Sequence, residues 1–450
     1  MPPLMPPPFP TPTVLNPLPD WMLAAPLQRV MAALTQQDAD AVRVVGGAVR
    51  DHLLGLAVRD VDLATTLTPL QAVAALSQVG IKTLPTGIDH GTITALLDDT
   101  AIEITTLRQD VATDGRHAVV RFGTDWRADA ARRDFTINAL YLSPTGQLFD
   151  YHQGLADLAA RRVRFIGNPH QRIQEDVLRL LRFFRFSASY AAELDADGLT
   201  AAITLSPQLP QLSGERVWAE LSRLLTLGQD GLAMLRVMAT HAILPQLWLP
   251  AVIATPDLAS LQALLRADPQ VPPALLQLAV LIGGAVTPAT LKSLAGRLRL
   301  SNQQRRQWQL WQAGWRCWHS QDRLDWLDWI YLHGLPAGQE SLAWWEATRA
   351  TGVAWETTWA AGQQEGESQG RQDATENLPE NQGGQDADTP ALLADARQQA
   401  LDVMRRLGDA RFATNGDDLL AAGYPPGAAL ANQLRTLRRA WLADLLCQRK

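Results

Sequence analysis

Cysteine is almost missing from this chain of 450 residues, where Cys317 and Cys447 are the only two. That excludes a disulfide framework and any zinc site built from cysteine. The eight histidines are scattered, with no His-x-x-x-His or similar cluster, so histidine offers no metal centre either. No stretch approaches about 18 uninterrupted apolar residues, which speaks against a membrane span. Residues 1–20 are rich in proline but lack the basic region and apolar core of a signal peptide. They are expected to form a mobile tail, and a cytoplasmic location is expected for the chain. Internal repeats are also missing.

What is present is globular in character, 47% hydrophobic and 19% charged, and the length suggests about three domain-sized units. The net charge of −6 argues at first sight against a polyanionic partner. Residues 362–388 remove that objection, because seven acidic residues against Arg371 account for the whole excess. Residues 161–185 instead hold seven arginines against Glu175 and Asp176, the kind of local basic footprint a nucleic acid calls for.

Periodicity divides the chain. From Val42 to about Leu148, short β-rich runs ("VRVV", "DVDLATT", "ITALLDD", "AIEITTL") alternate with helical stretches such as "AVRDHLL". This reads as an α/β unit with a mixed sheet. Residues 108–127 are polar and weakly periodic and are expected as a mobile loop near the site. Beyond about Asp157 strands vanish. "RIQEDVLRLLRFFRF" predicts one helix with Ile173, Val177, Leu180, Leu181 and Phe184 on a single face. The predicted organisation is a Pro-rich tail (1–20), a catalytic head (21–157), a helical neck (158–225), a helical body (226–361), an acidic disordered insertion (362–388) and a helical tail (389–450).

Two patterns carry chemistry. Gly46 and Gly47, between a strand and a helix, allow a backbone to approach a phosphate, and Arg50 would add a charge-assisted bond. Alone, such a turn is more often only a turn. Some thirteen residues on, Asp60 and Asp62 stand two apart on a predicted strand, where alternation aims both carboxylates the same way. Left bare they would repel; a hard divalent cation, Mg²⁺ above all, removes the repulsion, and a two-metal site could activate a hydroxyl and neutralise a leaving pyrophosphate. The alternative is a solvated strand face. For a third carboxylate, Glu103 between Ile102 and Ile104 is the first candidate, with Asp98 and Asp99 as competing choices.

The Gly-Gly turn, the Asp-x-Asp pair and a later acidic strand residue resemble the polymerase-β-type nucleotidyltransferases. "GGAVRDHLLG", "RDVDLAT", "RRDFTINAL" and "EDVLRLLRFFRF", in that order over residues 40–225, resemble the bacterial class II tRNA nucleotidyltransferase and poly(A) polymerase family. The resemblance implies a polymerase-β-type head followed by an all-α neck, body and tail. It implies that Asp60, Asp62 and Glu103 are catalytic, the first two holding Mg²⁺, and that Gly46, Gly47, Arg50, Arg132, Arg133, Asp134, Asn138, Asp176, Arg179 and Arg182 bind the nucleotide. Asp134 would reach the ribose, although it also reads as an ordinary helix N-cap. Asp176 and Arg179, at i and i+3 on a helix, would imitate a base-pairing partner for C or A; otherwise they read as a surface ion pair. Glu215 and Arg216 in "SGERVWAEL" would brace the neck.

Within the family, Val177 stands where polyadenylating members typically carry proline, and the chain's end is balanced rather than strongly basic. Both features resemble the CCA-adding branch, as does the tail element "NGDDLLAAGYPPGAAL". The implied partners are the tRNA acceptor end, CTP and ATP, with neither membrane nor protein partner. Polyadenylation and a non-catalytic RNA-binding role remain as alternatives. No His-Asp pair follows Phe186, so an added phosphohydrolase activity is not expected. Ten of the 15 tryptophans fall between Trp308 and Trp359, and the helical spacing of Trp308, Trp311, Trp315 and Trp318 reads as core rather than as a base-stacking surface.

Overall fold

The computed structural model describes residues 13–98, 100–113, 118–248, 256–267, 270–283, 286–319, 323–333, 335–349, 412–423 and 425–447. The acidic stretch 362–388 and residues 1–12 of the Pro-rich opening lie outside them. The chain divides into two compact units, Met1–Leu212 and Ser213–Lys450. That boundary falls within the span 158–225 expected as a neck.

The first unit is built on strands β1 (Val42–Val45), β2 (Asp62–Thr65), β3 (Lys82–Gly87), β4 (Thr92–Leu97), β5 (Thr100–Thr106), β6 (Arg108–Thr113), β7 (Ala118–Phe122), β8 (Leu140–Leu142) and β9 (Leu148–Asp150). Its helices are α1 (Ala25–Leu34), α2 (Gly47–Leu53), α3 (Pro69–Gln78), α4 (Trp126–Ala131), α5 (Gly154–Ala159), α6 (Pro169–Glu175), α7 (Leu178–Tyr190) and α8 (Ala196–Leu205). Seven strands form one sheet in the order β3-β4-β5-β2-β1-β8-β9. The β2–β5 pair is parallel and the other pairs antiparallel, so the sheet is mixed as the alternation of elements implied. Central β1 is buried along its whole length, which is why "VRVV" carries no alternation. In β4, by contrast, Ile93, Ala95 and Leu97 turn inward between less buried neighbours.

Registers place one lateral row across the sheet: Thr94, Glu103, Asp62, Val45 and Tyr141 are consecutive partners on β4, β5, β2, β1 and β8. Partners in a ladder present their side chains to the same face. Val45, Ala64 and Tyr141 pack there with Ala130 of α4, Ala139 and Ile166. Helix α4 therefore covers the face on which Asp62 opens.

Three expectations are corrected. Asp60 is not on the strand: β2 begins at Asp62, opposite Val45, the last residue of β1 before the chain turns into α2. Within the stretch 108–127 expected as a loop, β6 and β7 pair as an antiparallel hairpin and α4 follows, while residues 114–117 lie outside the described residues. The single helix expected across "RIQEDVLRLLRFFRF" is two. Asp176 leaves helical geometry (φ −154°, ψ 106°), and its carboxylate accepts the N–H of Leu178 at 3.1 Å, offering the backbone an alternative to continuing α6.

The second unit, among the described residues, is helical: α9 (Gly214–Leu225), α10 (Gln229–Thr240), α11 (Leu258–Ala267), α12 (Ala274–Ile282), α13 (Pro288–Arg297), α14 (Asn302–His319), α15 (Arg323–His333), α16 (Leu335–Arg349), α17 (Gly416–Ala421) and α18 (Ala428–Cys447). Among the described residues no strand follows β9, as the pattern implied for the chain after Asp157. Trp308, Trp311, Trp315 and Trp318 form the buried stripe of α14. Their indoles meet α16, Trp311 donating to Glu340 at 2.6 Å, Trp315 to Thr348 and Trp318 to Ser341, each at 3.0 Å. Gly314 makes the approach possible, because a Cβ there would stand 2.5 Å from Ser341 Oγ. Glu215 meets Arg299 only at 3.8 Å on the open surface. Arg438 of α18 forms a two-pronged ion pair with Asp328 of α15, and Trp441 packs edge-on against Tyr331.

Candidate active site

Gly46 turns the chain from β1 into α2 with φ 73° and ψ −121°, a conformation that glycine alone adopts without strain. A Cβ at Gly46 would lie 3.6 Å from the carbonyl oxygen of Asn138 and 3.8 Å from Arg133 Nη1, so this turn, Asn138 and Arg133 are neighbours. Asp62 opens β2 beside Glu103 of β5, and both carboxylates face solvent at least in part.

The electrostatics tie these groups together. Partial burial pushes the Asp62 carboxyl above its ordinary value, against the pull of the Arg133 guanidinium and with a further push from Asp60. Glu103 is likewise raised, by partial burial first and by Asp62 second. Asp62 is thus pushed by Asp60, itself pushes Glu103, and meets the attraction of Arg133. Among the described residues, no group of three or more His, Cys, Asp or Glu side chains is placed so as to hold a metal ion. The Asp60–Asp62 pair supplies hard oxygen donors whose mutual repulsion a divalent cation would relieve, so the donor chemistry suits Mg²⁺.

The arginine-rich motif does not open a helix. Arg132 is the C-cap of α4, and Asp134 accepts the N–H of Phe135 at 2.9 Å instead of capping an α-helix, because the chain passes directly into a short 3₁₀ turn at Thr136–Asn138. Asp134 is buried and accepts from Asn138 Nδ2 at 3.1 Å and from Arg182 Nε at 2.7 Å. Burial would raise this carboxyl, but Arg182 and these hydrogen bonds hold it below the usual range. Asn138 Oδ1 in turn accepts from Arg50 at 2.6 Å. Arg50 is buried, donates also to Asp51 at 2.8 Å, and lies 4.1 Å from the centre of the Tyr190 ring. A chain of hydrogen bonds thus runs from Arg50 through Asn138 and Asp134 to Arg182 and links α2 to α7.

Asp176 and Arg179 flank the break between α6 and α7. They do not pair through their side chains as the helical spacing suggested. Arg179 Nη1 donates to Glu175 at 2.6 Å and to the Arg172 carbonyl at 2.9 Å. Arg172 also donates to Glu175 and to the carbonyls of Arg132 and Arg133. Glu175 and Arg172 therefore join the Asp176–Arg179 corner to the arginine motif. Sequence reading passed over both, along with Asp129 and Tyr141, although Glu175 abuts a motif and Asp129 precedes Arg132 and Arg133 by one helical turn.

With this geometry in view, the comparisons with known proteins decide the kind of head. Residues 42–164 match the model of the Poly A polymerase head domain. The mitochondrial CCA tRNA nucleotidyltransferase 1 of Mus musculus is 44% identical over 225 residues, 49% of this chain and 52% of that protein. Its Homo sapiens counterpart is 45% identical over 214 residues, 47% and 49% of the two chains. The CCA-adding enzyme of Streptococcus gordonii is 40% identical over 207 residues, 45% and 51% of the two. This chain spans about half the length of the curated relatives it matches. The resemblance drawn from the four motifs is borne out.

Solved structures extend the likeness in fold. The Bacillus stearothermophilus CCA-adding enzyme in complex with CTP aligns with a TM-score of 0.60 over 94% of this chain and 98% of its own, at 22% identity. The Thermotoga maritima CCA-adding enzyme complexed with tRNA aligns with a TM-score of 0.61 over 97% of each chain, at 16% identity. At such identities the agreement shows the architecture, a mixed-sheet head followed by helices. No helix among the described residues is long and apolar enough to cross a membrane.

Proposed function

We propose that this chain adds or repairs the 3′-terminal CCA of tRNA, using CTP and ATP without a nucleic-acid template. The observation that carries the reading is the row in which Asp62, next to Glu103, faces the cation of Arg133 beside the Gly46 turn. It joins an acidic edge able to hold a divalent cation to a basic group able to hold a triphosphate. The names of the relatives compared above, CCA tRNA nucleotidyltransferase and CCA-adding enzyme, supply the choice of product.

In the reaction, the 3′-hydroxyl oxygen of the RNA bonds to the α-phosphorus of the nucleotide while the bond from that phosphorus to the pyrophosphate oxygen breaks. Asp60 and Asp62 would hold Mg²⁺, two ions in the full site, and bound metal would favour the ionised hydroxyl and neutralise the departing pyrophosphate. Glu103 adds negative charge next to Asp62, tightening the edge for cations. Arg132 and Arg133 receive the triphosphate, with Gly46 and Gly47 letting the backbone come close. Arg50, Asn138, Asp134 and Arg182 support that pocket from behind.

At the α6–α7 corner, Asp176 and Arg179 read the base. A carboxylate accepts from the exocyclic amine that C and A share, whereas U and G present a carbonyl there and would leave it unsatisfied. The nucleotide residues all belong to the first unit. The helical body and tail of the second take the tRNA, and the enzyme works in the cytoplasm. The hairpin β6–β7 is the element that responds as the 3′ end grows.

The test uses purified protein, Mg²⁺ and a tRNA transcript ending before CCA, with labelled nucleotides offered singly and in pairs. Two C from CTP and one A only when both nucleotides are supplied support the reading. A long A tail from ATP alone would make this a polyadenylating enzyme, and no incorporation would leave an RNA-binding relative.

A further inference from the structure

Asp129 lies outside the motifs that carry the family resemblance, yet it is the carboxylate on which the arginine motif is mounted. It sits in α4 with 1% of its surface exposed. Its Oδ1 accepts from Arg132 Nε at 2.8 Å. Its Oδ2 accepts from the Tyr141 hydroxyl at 2.8 Å and from Arg133 Nη2 at 3.2 Å. The Tyr141 oxygen also accepts from Arg133 Nε at 3.1 Å. One carboxylate and one phenol thus hold two consecutive guanidinium groups from their inner side.

Several observations separate this from an ordinary surface ion pair at i, i+3 and i, i+4. The carboxylate is buried, while the two arginine side chains keep 17% and 19% of their surface open. Burial alone would raise the Asp129 carboxyl; Arg133, Arg132 and the Tyr141 hydroxyl override it and keep the group ionised. One negative charge facing two positive ones leaves a cation over, and the charge of Arg133 is felt at Asp62. Tyr141 belongs to the same lateral row of the sheet as Asp62, so the arginines are referenced to the acidic edge through a strand and not through flexible side chains. An arginine held in advance loses less rotamer freedom on binding than a free one.

We propose that Asp129, together with the Tyr141 hydroxyl, is a positioning residue that fixes Arg132 and Arg133 in the orientation that receives the nucleotide's triphosphate. The inference rests on the reading of the site given above. It deepens that reading by assigning two residues to the binding of the triphosphate, whichever base is attached.

The test is calorimetric titration of the full chain with CTP and with ATP, alongside the KM for tRNA. Asp129→Asn should weaken both nucleotides about 10-fold or more, and Tyr141→Phe about 3-fold, as expected for losing charged and single hydrogen bonds. The KM for tRNA should not move. On an Arg133→Ala background, the loss caused by Asp129→Asn should shrink to about 3-fold, because part of its effect passes through that arginine. Unchanged nucleotide affinity, equal losses for tRNA and nucleotide, or full additivity with Arg133→Ala would each overturn the proposal. If Asp129→Asn does not fold, Tyr141→Phe decides by the same three criteria. A wild-type protein that binds CTP and ATP but extends no tRNA would sink the CCA reading while the calorimetry still judges this one. A wild-type protein that binds neither nucleotide overturns both.

Discussion

Asp62 is held in a setting that resists its charge at neutral pH. Its folded-state pKa lies above the unfolded value of about 3.9, so the native protein binds the proton more readily than the unfolded chain does. The contribution of this group to stability is therefore present below the unfolded pKa and is lost as pH rises through the folded one. Neutralising it should relieve the fold. In metal-free buffer at pH 7, Asp62→Asn should melt at a temperature equal to or above that of the wild type, while nucleotide incorporation disappears. A clearly lower melting temperature would mean that the carboxylate stabilises the apo-protein, contrary to the repulsion described. Asp129 has the opposite sign: its folded pKa is lowered, so its contribution is present above the unfolded pKa and is lost as pH falls through the folded value. Asp129→Asn should accordingly destabilise the protein at pH 7, and the difference from wild type should narrow as a melting series is carried to pH 3. A constant difference across that series would place its effect in packing and not in charge.

Among the elements, the turn at Gly46 and the break at Asp176 set the shape of the site, and they differ in how far sequence reveals them. The turn is legible because two glycines between a β-branched run and a helical run need a backbone reason. Its cost can be stated: Gly46→Ala meets no close neighbour, the nearest atom being 3.6 Å away, but forces an L-residue to φ 73°, ψ −121°. A loss of about 1–3 kcal/mol in urea denaturation is expected, with weakened nucleotide binding as the turn re-forms elsewhere. Equal stability would show that the turn relaxes freely. The break was not legible, because the apolar period of Ile173, Val177, Leu180, Leu181 and Phe184 runs straight through it. Only the Asp176 carboxylate bonding to the Leu178 N–H ends α6, and such local competition leaves no trace in periodicity. The hairpin of β6 and β7, a two-stranded sheet apart from the seven-stranded one, was hidden because the run 108–127 shows no clear period. Asp129 was hidden because its partner Tyr141 lies twelve residues on, in β8, while its spacing to Arg132 and Arg133 looks like any helical ion pair.

On the scale of the whole molecule, every residue assigned to the nucleotide, from Gly46 to Arg182, belongs to the first unit, whereas the tryptophan core belongs wholly to the second. The stripe of Trp308, Trp311, Trp315 and Trp318 was readable as core from spacing alone, but the partner it packs on was not. Gly314, between two of those tryptophans, shows its purpose only once α16 lies against it. The separation of roles gives a sharp expectation for Gly314→Ala. The added Cβ would lie 2.5 Å from Ser341 Oγ and 2.7 Å from the Trp329 ring, so α14 and α16 must part or twist. Overpacking of this kind costs about 1–3 kcal/mol, which should appear as a lower melting temperature. Held below that temperature, the variant should bind CTP by calorimetry as the wild type does, because no nucleotide residue lies in the second unit. Its KM for tRNA should rise if the helical body holds the RNA. A CTP affinity that falls together with the tRNA affinity would show that the tryptophan core helps to shape the nucleotide pocket, and would end the division of labour proposed for the two units.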